Sequence, residues 1–226
     1  MKRLLAISLM TIGATTFTHA DFIGAKASVD YWYYDSTGDS TSGQDFNLDN
    51  DHAISLTASF EHPIPLIPNA KIKYSNLQSQ NKTDLNRQQS YKFDVDYSDF
   101  ILYYELLDNI VSLDVGLGAK VLDGDLKQNL TTQSVNETLP MIYAQAGVKL
   151  PFTGLSAQAE ANYASYDDTV VTDAQAEVKY NFIDNLLIDV GAKLGYRLLD
   201  IKFDEGKSNQ TNFEFKGPYI GLEAHF

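Results

Sequence analysis

The sequence contains no cysteine among its 226 residues and only one tryptophan. Without cysteine, neither a disulfide framework nor thiolate chemistry is available. Acidic residues outnumber basic ones by 30 to 17, for a net charge of −13, which excludes the basic face that nucleic-acid binding requires. After residue 20, no apolar run approaches the roughly 18 residues that a membrane-spanning helix needs. The helical period is almost absent as well.

The first twenty residues have the three parts of a secretory signal peptide. Two cations precede a short apolar run, which ends in small residues. This arrangement predicts cleavage after Ala20, with residues 1–20 as the signal peptide and residues 21–226 as one exported domain. The alternative is an uncleaved anchor helix, although the run is short and rich in threonine.

Apolar and polar residues alternate in ten successive stretches from Asp21 to the C-terminus. In the clearest, "VSLDVGLGAKV", the odd positions from Val111 to Val121 are apolar and the even positions are small or polar. Period two is that of a β-strand, because successive side chains point to opposite faces. In "SYKFDVDYSDFILYYEL" the apolar residues lose this strict parity, so we predict a bulge near Ser98–Asp99.

The connections between these stretches alternate in length. The connections "STGDSTSGQDFNLDND", "QSQNKTDLNRQQ", "DGDLKQNLTTQSVNET" and "LDIKFDEGKSNQTN" are long and polar, whereas "HPIPLIPN", "LLDN", "PFTG" and "IDN" are short. "SYDDTV" is short although it falls on the side of the long connections. Short turns at one rim and long loops at the other are typical of a bacterial outer-membrane barrel. We therefore predict an all-β fold, a transmembrane antiparallel up-and-down β-barrel of about ten strands with both termini in the periplasm.

Charges in mid-strand decide between a membrane barrel and a soluble one. A soluble barrel, which is the alternative, would fill its interior with apolar side chains and point charge outward. In a membrane barrel each Lys or Arg turned to lipid would cost about 2–4 kcal/mol at mid-depth. We therefore expect the charged face to plug the lumen as a charge ladder of ion pairs, with a narrow water path as the alternative. The ladder comprises Lys26, Asp30, Lys71, Lys73, Asp114, Lys120, Lys149, Glu160, Glu177, Lys179, Asp189 and Lys193.

Aromatic residues near the strand ends predict two girdles on the lipid-facing side. The outer girdle is predicted to contain Tyr31, Tyr33, Tyr163 and Tyr196, and the inner girdle Phe60, Tyr104, Tyr180 and Phe182.

Two segments, "EHPIPLIPNAKIKYSNL" and "YSDFILYYELLDNIVSLDVGLGAKVLDG", carry a family resemblance. Through the turn with Pro63, Pro65 and Pro68 and the "YYELLDN" turn, the chain resembles small proteobacterial outer-membrane β-barrel proteins associated with the GlyGly-CTERM sorting system. The resemblance implies the barrel fold and brings no catalytic residues. The C-terminus also resembles the assembly signal read by the barrel-assembly machinery, although Ala224 stands where a larger apolar residue is usual. That signal comprises Tyr219, Gly221, Ala224 and Phe226.

A search for catalytic groups finds one weak candidate. His52 follows the acids of "NLDND" at the predicted outer rim, where an Asp/His pair could activate water. Neighbours in a strand point to opposite faces, which weakens the pairing of Asp51 with His52. His62 is assigned to the periplasmic rim and His225 to the assembly signal, so no catalytic, cofactor-binding or metal-binding residue is predicted.

The sequence therefore predicts a monomeric outer-membrane barrel without catalysis, in a structural, surface-interaction or narrow small-solute channel role. The alternative is a surface enzyme, a protease or a lipid-modifying enzyme, with its site on the outer rim. The expected partners are outer-membrane lipid and lipopolysaccharide, with the assembly machinery during biogenesis. Neither a cofactor nor nucleic acid is expected.

Overall fold

The computed structural model describes residues 24–226 except 42, 44, 47, 65, 82–90, 186 and 209. The predicted signal peptide, residues 1–20, lies outside the described residues. Within them, no helix is long and apolar enough to cross a membrane. The strands are β1 (Gly24–Ser40), β2 (Asp51–Glu61), β3 (Asn69–Gln80), β4 (Tyr91–Asp108), β5 (Val111–Gln128), β6 (Thr131–Leu150), β7 (Leu155–Tyr166), β8 (Thr169–Asp184), β9 (Asp189–Phe203) and β10 (Thr211–His225).

These strands form one closed barrel. Each pairs antiparallel with its neighbours in sequence, and β1 pairs with β10 to complete the ring. The predicted all-β, up-and-down barrel of ten strands is confirmed. The four short connections, together with the C-terminus, lie at one end, which we call the turn rim; the other connections lie at the opposite end.

The pairing of β1 with β10, which we call the seam, joins opposite ends of the chain. The N–H of Phe226 donates to the carbonyl of Ala25 at 2.9 Å, so the seam continues to the last residue. The pairing of β1 with β10 is interrupted at Gly217 and Pro218, and proline has no N–H to donate. At this level the indole N–H of Trp32 donates to the carbonyl of Gly217 at 3.1 Å.

The stretch "DGDLKQNLTTQSVNET" is a paired hairpin, so the prediction of a long loop there was wrong. Strands β5 and β6 pair as far as Gln128 opposite Thr131, and only Asn129 and Leu130 form the turn. Asn129 has a φ of 55°, a left-handed conformation that asparagine adopts more readily than most residues. The polar composition suggested a loop, but it reflects the face of this paired hairpin that is in contact with solvent.

The predicted bulge near Ser98–Asp99 is also wrong. Strands β4 and β5 keep one register across this region, and the pairing shifts only between Glu105 and Leu107. The apolar residues change face without any slip of the strand. On one side of this level they point inward, as Phe93, Val95 and Tyr97, and on the other side outward, as Phe100, Leu102 and Tyr104.

On the side of the turn rim, the outward-facing side chains of the strands form an apolar band around the barrel, which we call the belt. Its outward-facing residues include every aromatic residue predicted for the two girdles, all between 45% and 53% exposed. Those predicted for the outer girdle lie toward the loop end, and those predicted for the inner girdle lie toward the turn rim.

Beyond the belt the strands continue with the opposite arrangement. We call this part the crown; it comprises residues 34–40, 75–80, 91–99, 122–139, 198–203 and 211–217. The inward side chains of the crown are largely apolar and buried, and they include Tyr34, Leu77, Phe93, Val95, Leu122, Leu139, Leu199, Ile201, Phe213 and Phe215. Its outward side chains are polar, among them Asp35, Thr37, Asp39, Gln78, Lys92, Asp94, Asp96 and Asp123. The crown is therefore built like a soluble barrel.

Candidate functional site

A buried ion-pair network crosses the middle of the lumen. Asp173 on β8 accepts hydrogen bonds from Arg197 on β9, with Nε 2.9 Å from Oδ1 and Nη2 2.5 Å from Oδ2. Lys73 and Lys120 each approach the same carboxylate to 3.9 Å. Lys120 also lies 2.6 Å from Asp99 on β4, and both side chains are fully buried. Because five strands contribute, the network ties together walls that are not neighbours in the sheet.

Glu160 on β7 extends this network toward the turn rim. Its carboxylate lies 3.0 Å from the ammonium of Lys71 and 3.4 Å from that of Lys73. Lys71 donates further hydrogen bonds to the hydroxyl of Tyr143 at 2.5 Å and to Oε1 of Gln145 at 3.0 Å. A buried charge is costly unless it is paired and hydrogen-bonded, and here each ion has several partners.

A further group of ion pairs lies inside the lumen, next to β1 and β10. Lys193 on β9 is 2.9 Å from Asp30, 3.5 Å from Glu177 and 3.9 Å from Glu223. The hydroxyl of Tyr219 donates to Glu177 at 2.5 Å. These contacts connect the seam to the neighbouring strands β9 and β8 through side chains inside the lumen.

The structure places the residues of the predicted charge ladder on the inner face at different depths. Eight of them are buried: Asp30, Lys71, Lys73, Asp114, Lys120, Glu160, Glu177 and Lys193. Lys26, Lys179 and Asp189 are half-buried near the turn rim, where Lys26 pairs with Glu61 and Lys179 with Glu223, each at 2.6 Å. Lys149 is exposed at the rim, and in the part of the chain that is described it has no ion-pair partner.

Several members of the network were missed by the ladder prediction. Asp173 and Arg197 fall on the polar face of their strands, as do Glu61 and Glu223, so parity alone could have added them. Asp99 was lost because a bulge was expected at that position, and a bulge removes the parity on which the choice depends.

The crown closes the lumen above the network with packed rings. The guanidinium of Arg197 lies 4.8 Å from the centre of the Trp32 ring, at the boundary between ions and rings. Above it, the ring of Phe93 lies 4.8 Å from that of Phe213 and 5.2 Å from that of Phe215. Phe46, from the connection after β1, stacks on Phe213 at 5.5 Å. This end of the lumen is thus filled by an aromatic and aliphatic core.

The opposite end of the lumen is a polar cavity at the turn rim. Its volume is about 300 Å³, and its lining includes Lys26, Glu61, Glu105, Asp114, Lys179 and His225. The bottom of this cavity is formed by Lys71 and Glu160 of the network. The barrel is therefore a shallow cup, open at the turn rim and closed toward the crown.

The histidines of the described chain lie far apart in the fold. His52 is on the outer wall, where its ring stacks on Tyr31 at 5.2 Å and its Nδ1 lies 3.1 Å from Asp51. His62 lies just after β2 at the turn rim, and His225 lies at the end of the seam, 3.8 Å from Asp189. Across the described ranges, no group of three or more histidine and carboxylate side chains could hold a metal ion.

The residues of the predicted assembly signal occupy both faces of β10 and its end. Tyr219 is buried inside, and Gly221 faces Asp30, where an added Cβ would overlap the carboxylate. Ala224 pairs with Ala27 on the outer face. Phe226 is 59% exposed at the turn rim.

One ion pair connects two crown-side connections. Lys207, between β9 and β10, pairs with Asp168 in the β7–β8 turn and lies 3.0 Å from Asp204. Hydrogen bonds to the carboxylates of Asp168 and Asp204 raise the pKa of Lys207, so this lysine stays charged at neutral pH.

Comparisons with known proteins agree with a membrane barrel. No protein-family model matches the chain, and the comparison with curated proteins finds no match. Among solved structures, the outer membrane protease OmpT from Escherichia coli aligns with a TM-score of 0.51 and 12% identity, over 92% of this chain and 98% of that one. The translocator domain of the autotransporter NalP from Neisseria meningitidis aligns with a TM-score of 0.47 and 11% identity, over 89% of this chain and 86% of that one.

The likeness to OmpT concerns the fold alone, because so low a sequence identity does not indicate a shared activity. Together with the apolar belt and the charged lumen, it defines the class of the protein. The chain has the fold of a bacterial outer-membrane β-barrel.

Proposed function

We propose that this protein is a non-conducting, non-enzymatic barrel of the outer membrane that acts through its surface, as a structural or interaction protein. One observation carries the proposal: the lumen is closed twice, by the ion-pair network around Asp173 and by the packed rings of the crown. A ten-stranded barrel has a lumen only slightly wider than one that side chains can fill. The surface available for interactions is then the polar outer face of the crown.

In this proposal the turn rim and both termini are on the periplasmic side of the membrane and the crown lies outside the cell. The belt contacts lipid and lipopolysaccharide, and the protein is a monomer. The barrel-assembly machinery acts on it during biogenesis through the signal at the end of β10. The resemblance to barrels associated with the GlyGly-CTERM sorting system remains part of the proposal.

Conductance in planar bilayers tests the proposal directly. The purified protein should give no steady current, because the ion-pair network and the packed rings fill the lumen in the described part of the chain. A steady current in the unmodified protein would contradict the proposal and favour a narrow channel. In that case Lys193→Glu should change the ion selectivity, since Lys193 lines the polar cavity between Asp30 and Glu177.

A surface enzyme is the second candidate, because the OmpT structure is that of an outer membrane protease. The position of His52 speaks against it, since the ring stacks on Tyr31 on the outer wall and does not face the lumen. We expect His52→Ala to leave proteolysis and lipid deacylation by cells that carry the protein unchanged. An activity that is present in the unmodified protein and lost in this variant would favour the enzyme.

A further inference from the structure

The four short turns and the strand ends beside them carry large apolar side chains that no part of the described barrel covers. We call this set the collar; it comprises Ile64, Leu66, Ile67, Leu106, Leu107, Ile110, Leu150, Phe152, Ile183 and Leu187. Their exposed fractions range from 42% to 108%. Turns that face water are ordinarily built from polar residues, glycine and proline. An apolar ring of this kind on a soluble surface marks a binding surface.

Two collar residues sit at the tips of their turns in a backbone conformation that bulky residues rarely adopt. Leu66 in the β2–β3 turn has a φ of 70°, and Phe152 in the β6–β7 turn has a φ of 64°. The left-handed region disfavours side chains of this size. They are also among the most exposed apolar residues, at 90% and 108%. Strain retained at an exposed position points to a role outside the barrel itself.

The bulge in β4 keeps the collar apolar on the outside. Glu105 pairs with Asp114 on the inner face, and after the shift Leu107 pairs with Leu113 and Asp108 with Ser112. Leu106 is the extra residue. Without the bulge, Leu107 would turn into the polar cavity and Asp108 would turn to the outer wall.

The bulge in β8 has the same effect. Asn181 faces inward opposite Gly191, Phe182 is the extra residue, and Ile183 then pairs with Val190 on the outer face. As a result Asp184 lines the polar cavity together with Asp189. Two bulges in separate strands therefore both move an acid inward and an aliphatic residue outward at the same level.

The β2–β3 turn is attached to the outer wall, where the apolar belt ends. The hydroxyl of Tyr104, an outward-facing residue of the inner girdle, donates to the carbonyl of Leu66 at 2.9 Å. The groove beside it, lined by Pro68, Ile72 and Leu102 among others, is almost wholly apolar and belongs to the belt. The collar is thus continuous with the lipid-facing surface.

From these observations we infer that the collar is inserted in the membrane leaflet at the turn rim, where it contacts phospholipid acyl chains. The apolar surface then extends past the ends of the strands, and the turns anchor the barrel in that leaflet. Both bulges follow from this placement, because charge on the outer wall is disfavoured wherever lipid is the neighbour.

Tryptophan fluorescence in nanodiscs tests the inference. Leu66→Trp and Phe152→Trp each place an indole at a collar tip, and Leu130→Trp is the matched control, because Leu130 is fully exposed at the β5–β6 turn on the opposite end. The native Trp32 is 1% exposed inside the lumen and supplies a constant background. Each variant is measured in discs made with ordinary phospholipid, with brominated phospholipid, and with added iodide.

We expect brominated lipid to reduce the fluorescence of the two collar variants and iodide to have little effect on them. The Leu130→Trp variant should show the reverse. Collar tryptophans that are quenched by iodide but not by brominated lipid would overturn the inference and leave the collar as a surface for a periplasmic protein. Heat-modifiable gel mobility confirms folding of each variant, and because no measurement depends on conductance or catalysis, failure here would leave the proposed function untouched.

Discussion

The belt and the crown use the same strands in opposite ways. On β4, Phe93 is 1% exposed inside the crown, whereas Phe100, seven positions along, is 49% exposed on the outer wall of the belt. The charges move in the other direction: Asp94 lies on the outer face, whereas Asp99, where the crown meets the belt, lies inside. A soluble sheet buries its apolar face and a membrane barrel exposes it to lipid. The change of face along one strand therefore marks the level where the surroundings change from lipid to water.

The two regions must also be held together by different forces. In the crown, apolar side chains leave water when the barrel forms, which contributes about 25 cal/mol for each Å² buried. In the belt, the outward side chains move from water into lipid and not against other side chains, so the interior of the belt is held by backbone pairing and by the ion pairs inside the lumen. Substitutions that are matched in chemistry but differ in region should separate these contributions.

The largest difference is expected for a cation removed from the lumen. Arg197→Met leaves Asp173 buried with only two lysines at 3.9 Å, and breaking a buried pair in this way costs about 3–5 kcal/mol. Lys92→Met on the outer wall of the crown removes an exposed pair with Asp94 and should cost at most about 1 kcal/mol. Urea titration in lipid vesicles measures both free energies of unfolding. Equal losses would show that the network does not stabilise the belt.

A smaller difference is expected for a charge added outside. Leu117→Arg places a cation in the middle of the belt and should lower the free energy of unfolding by about 2–4 kcal/mol. Gln78→Arg, on the outer wall of the crown, should change it little because the side chain stays in water. The same urea titration compares them, and a comparable cost at Gln78 would mean that the crown also lies within lipid.

The smallest difference is expected for the loss of a single methylene. Ile201→Val trims the buried core of the crown and should cost about 0.5–1.5 kcal/mol. Ile72→Val trims the belt, where a lipid chain can fill the space, so the loss should be smaller. Matched thermal unfolding in vesicles is the check; an equal or larger loss at Ile72 would contradict the assignment of the two regions.

The sequence pattern was sufficient to predict the strands, but it did not predict the level at which the barrel leaves the membrane. The period of two predicts the barrel because each strand keeps its parity over most of its length, and the parity of Lys73, Lys120 and Glu160 puts them inside. It fails from Phe93 to Tyr104, where a constant register produces an apparent break, since period alone does not say which solvent lies on each side. The bulge was therefore predicted near Ser98–Asp99 and occurs at Leu106.

The contacts across the lumen could not be predicted from the sequence, for a different reason. Asp173 meets Arg197, Lys73 and Lys120 because the barrel closes at a particular register and tilt. The pattern within each strand carries no information on that closure. The collar was hidden likewise: "HPIPLIPN" and "PFTG" read as turns, and only the observed exposure of Leu66 and Phe152 separates them from ordinary turns.

The seam between β1 and β10 has a consequence for the order in which the barrel forms. Each of the other pairings joins strands that follow one another in the chain, so it can begin as a local hairpin. The seam instead brings Trp32 to Gly217, 185 positions away, and the entropic cost of closing a loop rises with its length. An open sheet with two bare edges should therefore precede the cylinder. Bare edges recruit other chains into aggregates, so a factor that shields them until closure would raise the yield of folded protein without altering its final stability.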